Sequence, residues 1–88
     1  MPKRDKQRKS RPIGRVMHVS KSTHNLILKA EEEARIGDFV YDSNRRRVGM
    51  VFDFFGPVDA PLISVQPLNA EAEKLIGEPL FVEERKKR

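Results

Sequence analysis

Val48-Gly49-Met50-Val51-Phe52-Asp53-Phe54-Phe55-Gly56-Pro57-Val58-Asp59-Ala60-Pro61-Leu62-Ile63-Ser64-Val65-Gln66-Pro67 is the stretch on which the chain is organised. It holds three of the six aromatic residues. Side chains on an extended strand alternate between faces. That places Val48, Met50, Phe52 and Phe54 on one side and Gly49, Val51, Asp53 and Phe55 on the other. Gly56-Pro57 ends the strand, because Pro offers no ladder N–H and Gly frees the backbone to turn. Leu62–Gln66 reads as the returning strand. Both faces of the first strand carry large apolar groups, so one needs a core and the other a second core or a partner.

Working outward, the remaining segments are also short. Ile13–Ser20 reads as a strand, with Gly14, Val16 and His18 opposite Ile13, Arg15, Met17 and Val19. Lys21–His24 is a polar turn before a second strand, Asn25–Ala30. Glu31-Glu32-Glu33 is an acidic loop without further oxygen ligands to make a metal site. Ile36-Gly37-Asp38 turns into a strand at Phe39–Asp42, and Asp42-Ser43-Asn44 closes a hairpin into Arg46–Phe55. Asn69 caps a short helix over 70–76, with Gly77 just past its end. Pro79–Glu83 is the last strand, with Leu80 and Val82 opposite Phe81.

Two internal matches tie these segments together. Ile13-Gly14-Arg15-Val16-Met17-His18-Val19 matches Val48-Gly49-Met50-Val51-Phe52-Asp53-Phe54 at an offset of 35 residues. Ile36-Gly37-Asp38-Phe39-Val40-Tyr41 matches Ile76-Gly77-Glu78-Pro79-Leu80-Phe81 at an offset of 40. The chain reads as a duplicated three-strand unit. Six short strands without a long helix close as a small barrel, which removes exposed edges. The expected fold is all-β, with one helical turn and charged disordered tails.

Length and composition bound the rest. Eighty-eight residues make one domain, and a core of this size gains from barrel closure or a partner. Cysteine is absent, so there is no disulfide and no thiolate metal site. No apolar run reaches the roughly 18 residues of a membrane span, and the charged N-terminus does not read as a signal peptide. The net charge of +5 is unevenly placed. Residues 1–12 carry six basic side chains and Asp5, a net of +5, residues 83–88 a net of +2, and residues 13–82 a net of −2. The domain expected at 13–83 is therefore slightly acidic, between a basic disordered arm (1–12) and a charged tail (84–88).

No catalytic constellation stands out. His18 and His24 are the only histidines; His18 reads as packed beside Val16, His24 as a turn residue. Neither has an evident Ser or Thr partner, and no phosphate-cradling glycine loop or metal-ligand spacing occurs. The chain is not expected to be an enzyme, and no cofactor or metal is expected. Lys3, Arg4, Lys6, Arg8, Lys9 and Arg11 of the arm, with Arg45, Arg46 and Arg47 at the hairpin, are candidate RNA-phosphate contacts; solubilising surface charge is the plainer reading of the hairpin arginines. The aromatics cluster in sequence with aliphatic residues rather than with Lys or Arg, which favours a protein-docking face over a base-stacking platform.

The run Gly49–Val58 resembles the archaeal GAR-type (glycine-arginine-rich) subunit of box H/ACA ribonucleoproteins. So do Ile13–Lys21 and Ile36-Gly37-Asp38 followed by Val40-Tyr41-Asp42, in matching order across residues 13–82. The tails are rich in Lys and Arg without Gly repeats, as in archaeal members of that family. The resemblance implies a six-stranded barrel of the translation-factor/reductase-like type. It implies a non-catalytic subunit that docks on a dyskerin-type pseudouridine synthase and aids substrate loading and product release by engaging a mobile loop of the enzyme. Further implied partners are the guide RNA, substrate ribosomal RNA and other H/ACA core proteins, in the cytoplasm of an archaeal cell and with no membrane. Carried onto matching positions, docking falls on Val51, Phe54, Phe55, Gly56, Pro57 and Val58, with Pro61 beside them; Phe52 reads as core. The alternative is a free-standing RNA-binding barrel of the translation or ribosome apparatus.

Overall fold

The computed structural model describes residues 10–68 and 72–83. Six strands run in order: β1 (Ser10–Val19), β2 (Leu26–Lys29), β3 (Phe39–Tyr41), β4 (Arg47–Phe55), β5 (Leu62–Pro67) and β6 (Pro79–Glu83). They close into a barrel in the order β1-β2-β5-β4-β3-β6, every neighbouring pair antiparallel. The expected closed six-stranded barrel is the observed architecture. The expected helix over 70–76 is instead a single 3-10 turn at Ala72–Leu75; its expected cap, Asn69, lies outside the described residues. No helix among the described residues is long and apolar enough to cross a membrane.

The duplication is visible in three dimensions. Exchanging β1 with β4, β2 with β5 and β3 with β6 leaves the strand order unchanged. The exchange also carries hydrogen bonds onto one another. Gly77 N–H donates to the Val16 carbonyl at 2.8 Å, and Gly37 N–H to the Val51 carbonyl at 2.9 Å. Val16 N–H donates to the Glu78 carbonyl at 3.1 Å, and Val51 N–H to the Asp38 carbonyl at 2.9 Å. The pseudo-two-fold axis runs through the β2–β5 seam and, across the barrel, the β3–β6 seam.

Both long strands bend at bulges in matching places. The β1–β2 register shifts between Val16 and His18, the β4–β5 register between Val51 and Asp53. A bulge adds one residue and bends the strand, interrupting the face alternation. The faces expected from strict alternation therefore fail beyond it. In β4, Val51 points inward, Phe52 and Asp53 are both exposed, and Phe54 turns back towards the core. In β1, Val16 is buried, Met17 and His18 are both exposed, and Val19 packs on the core. His18 is thus a surface residue and not the packed one expected, and Phe52, 54% exposed, is not core.

The interior is filled by branched aliphatics. Ile13, Val16, Leu26, Leu28 and Val40 come from the first unit, and Val51, Ile63, Val65, Leu80 and Val82 from the second. Each such side chain contributes about 1.5–3 kcal/mol on burial. Ala72 of the 3-10 turn joins this core, and Leu75 packs against it, as do Ala30 and Ala34 of the β2–β3 connection. Gly14 and Gly49, equivalent under the duplication, let backbones approach: a Cβ would overlap the Lys29 carbonyl oxygen at the first and the Gln66 carbonyl oxygen at the second.

One boundary moves. The basic arm was expected to run through Pro12, but β1 begins at Ser10, with Ser10, Arg11 and Pro12 in register with Glu83, Val82 and Phe81. The reason is tertiary, since β6 supplies the ladder that these residues have no apolar pattern to demand. Pro12 sits beside the register shift at Gly14, a position that tolerates a missing N–H. Residues 1–9 and 84–88 lie outside the described residues.

Candidate partner-docking and nucleic-acid surfaces

Two exposed surfaces carry the functional candidates. The first is the corner between β4 and β5. Phe54 and Phe55 pair with Ile63 and Leu62. The chain then reverses through Gly56–Pro61, with Ala60 N–H donating to the Pro57 carbonyl at 3.1 Å. Gly56 has φ +93°, a conformation that other L-residues rarely adopt. The Pro61 carbonyl accepts the Ala30 N–H at 3.0 Å, which ties the corner to the β2 side of the barrel.

This geometry sorts the expected docking residues. Phe55 is 43% exposed and Val58 is 99% exposed. Gly56, Pro57 and Pro61 are exposed as well. Phe54 is half-buried against the core. Val51 is fully enclosed in the barrel and is corrected to a core residue; the bulge after it is what turns Phe52 outward. Phe52 therefore joins the exposed apolar set that sequence reading left it out of. Ile36 is 62% exposed and is followed by Gly37, which bonds the backbone just before Phe52. An apolar corner edged by Asp53 and Asp59, both exposed, has the make-up of an interface centre with a polar rim. Asp53 is held in place because its Oδ1 accepts the Phe54 N–H at 2.8 Å.

The second surface lies on the β3–β6 seam and was not foreseen. Inward-pointing Val40, Leu80 and Val82 leave Phe39, Tyr41 and Phe81 on the outside. Tyr41 and Phe81 are register partners. Tyr41 also pairs with Arg47 on β4, and Phe81 with Pro12 on β1. The Arg47 guanidinium lies 3.9 Å from the Phe39 ring centroid, a cation–π arrangement. Arg45 sits at the hairpin tip. Asp42 shapes that tip: its Oδ1 accepts the Asn44 N–H at 2.8 Å and the Arg46 N–H at 3.0 Å. The expectation that aromatics keep company only with aliphatics is corrected here. Phe81 is far in sequence from Phe39 and Tyr41 and joins them only through β3–β6 pairing, while β3–β4 pairing brings Arg47 to the group. The one sequence signal was the repeat, which aligns Tyr41 with Phe81.

Arg45, Arg46 and Arg47 are all exposed. Arg11 leaves the arm for β1 and lies 3.6 Å from Glu32, a solvent-accessible pair that contributes little to stability. Lys3, Arg4, Lys6, Arg8 and Lys9 lie outside the described residues. No group of three or more His, Cys, Asp or Glu side chains capable of holding a metal occurs among the described residues.

Comparison with known proteins follows the same outline. The Gar1/Naf1 RNA binding region family matches residues 10–87, starting where β1 starts. A protein of Methanothermobacter thermautotrophicus is 34% identical over 74 residues, covering 80% of this chain and 79% of that one. A protein of Methanocaldococcus jannaschii is 40% identical over 48 residues, covering 54% and 58%. Both carry the description "uncharacterized". Among solved structures, the Gar1 domain of Naf1 superposes with a TM-score of 0.72 at 20% identity, covering 96% of this chain and 100% of that chain; at that identity the likeness speaks for the fold. With the family matched along the whole barrel and the barrel itself reproduced, this chain belongs to the Gar1/Naf1 RNA-binding-region family.

Proposed function

We propose that this chain is the non-catalytic barrel subunit of an RNA-guided, box H/ACA pseudouridylation particle, docked on the pseudouridine synthase. The observation that carries the reading is the β4–β5 corner. It presents Phe55, Pro57 and Val58 to solvent at a hydrogen-bonded turn, with Val58 almost wholly exposed. An apolar group held out in this way by a well-packed barrel is what a partner surface buries. On this reading the synthase supplies the catalytic group and the guide RNA selects the uridine. The barrel acts on the enzyme's mobile loop, aiding substrate loading and product release, a gating role and not a chemical one. The place of work is the archaeal cytoplasm, with ribosomal RNA as the particle's substrate.

Copurification of the subunit and the synthase, with and without ribonuclease, tests this. The expected result is a complex that survives digestion. A complex that falls apart on digestion contradicts direct docking and favours a free-standing RNA-binding barrel, a reading that the aromatic and arginine groups of the β3–β6 seam support.

A further inference from the structure

The β3–β6 seam is a second surface, separate from the docking corner: in the closed strand order it lies opposite the β2–β5 seam, while the corner joins β4 to β5. We propose that this seam is a single-stranded RNA site, seating one unpaired nucleobase against the rings of Tyr41 and Phe81 with its flanking phosphate at Arg45. The proposal goes beyond the docking role and uses none of its residues.

A cavity of about 220 Å³ opens on the seam, with Tyr41 and Phe81 in its lining. It is smaller than the roughly 300–1,000 Å³ of pockets that enclose drug-sized ligands, and it suits a single flat ring. The two aromatics are half-buried and directly paired across neighbouring strands, so they are held at fixed spacing with part of each ring accessible. Stacking on such rings is indifferent to sequence, because every base presents a π-face. Arg45 lines the same cavity, and Arg46 and Arg47 follow it, both exposed.

Two acidic residues also line the cavity. Asp42 lines the cavity, but its Oδ1 is occupied by two backbone N–H groups. Glu83 lines it too, in register with Ser10 across β6 and β1. A duplex has no unstacked base to offer and cannot use the site.

One feature of the hairpin sets it apart from a passive turn. Arg45 holds φ +67°, the left-handed conformation that turns normally give to Gly or Asn. An arginine there presents its guanidinium beside the cavity at some cost in backbone strain.

The test compares the full chain with Tyr41→Leu and Phe81→Leu, which keep an apolar side chain but remove the ring. The probes are a short single-stranded oligoadenylate and an RNA duplex of equal length. The expected result is a loss on the order of tenfold in single-strand affinity for each variant, with duplex affinity unchanged. Folded variants that bind the single strand as tightly as the parent overturn the proposal. So do equal losses for the two RNAs. If the variants do not fold, titration of the unmodified protein with oligoadenylate decides, because the ring resonances of Tyr41 and Phe81 should shift and their silence refutes the site. Shifts of those rings on adding the synthase alone, without any on adding RNA, give the seam to a protein partner and also overturn it. Phe55→Ala should leave oligoadenylate binding intact, so a failure of docking and a failure of this site are read separately.

Discussion

Gly49 and Arg45 illustrate what single residues contribute. Gly49 is buried, and its missing Cβ is the space occupied by the Gln66 carbonyl, with Val65 Cγ1 only 2.9 Å from where it would stand. Gly49→Ala is expected to cost about 1–3 kcal/mol through overpacking. For a domain of this size that is a drop of at least ~4 °C in thermal midpoint. An unchanged midpoint would mean that β4 and β5 can separate freely. Arg45 runs the other way. Replacing a left-handed non-glycine residue with Gly relieves strain of roughly 1 kcal/mol, less the entropy that Gly adds to the unfolded chain. Arg45→Gly should therefore hold or slightly raise stability in urea while weakening single-stranded RNA binding. A variant that lost both together would point to a structural role for the side chain.

The elements show where sequence reading succeeds and where tertiary structure overrules it. β6 was legible to the residue, because Leu80 and Val82 alternate cleanly with Phe81 between a Pro and a charged end. The exposed Phe55–Val58 corner was legible from the Gly-Pro break after a strand with two apolar faces. The inward Val51 and outward Phe52 were not, because a bulge is set by the partner strand and leaves no mark in local alternation. The start of β1 was missed for a similar reason. Ser10-Arg11-Pro12 has no hydrophobic period, and only pairing with β6 makes it strand. This gives a direct comparison of two truncations. Removing residues 1–9 should leave the midpoint unchanged, whereas removing 1–12 strips three ladder partners from β6 and should lower it by several degrees, about 4–8 °C per kcal/mol lost. Equal midpoints would show that the first three residues of β1 contribute nothing to closure.

At the scale of the whole molecule, a duplicated three-strand unit makes a barrel with two unlike seams and two unlike long-strand corners. The two halves share their bulges, their close-approach glycines and their cross-unit hydrogen bonds, so the frame is common to both. Function lies where the copies diverge. Met17, His18 and Val19 in one copy stand where Phe52, Asp53 and Phe54 stand in the other, and only β4 runs on into Phe55-Gly56-Pro57-Val58. The docking claim rests on that divergence. Its most direct test is calorimetric binding of the purified synthase to the parent chain, Phe55→Ala and Val58→Asp, in the absence of RNA. Val58 is 99% exposed, so its substitution cannot disturb the core. The account predicts that both variants keep the thermal midpoint of the parent and lose about 1–3 kcal/mol of binding free energy, the range of a strong interface truncation. Folded variants that bind the synthase with the affinity of the parent would contradict it.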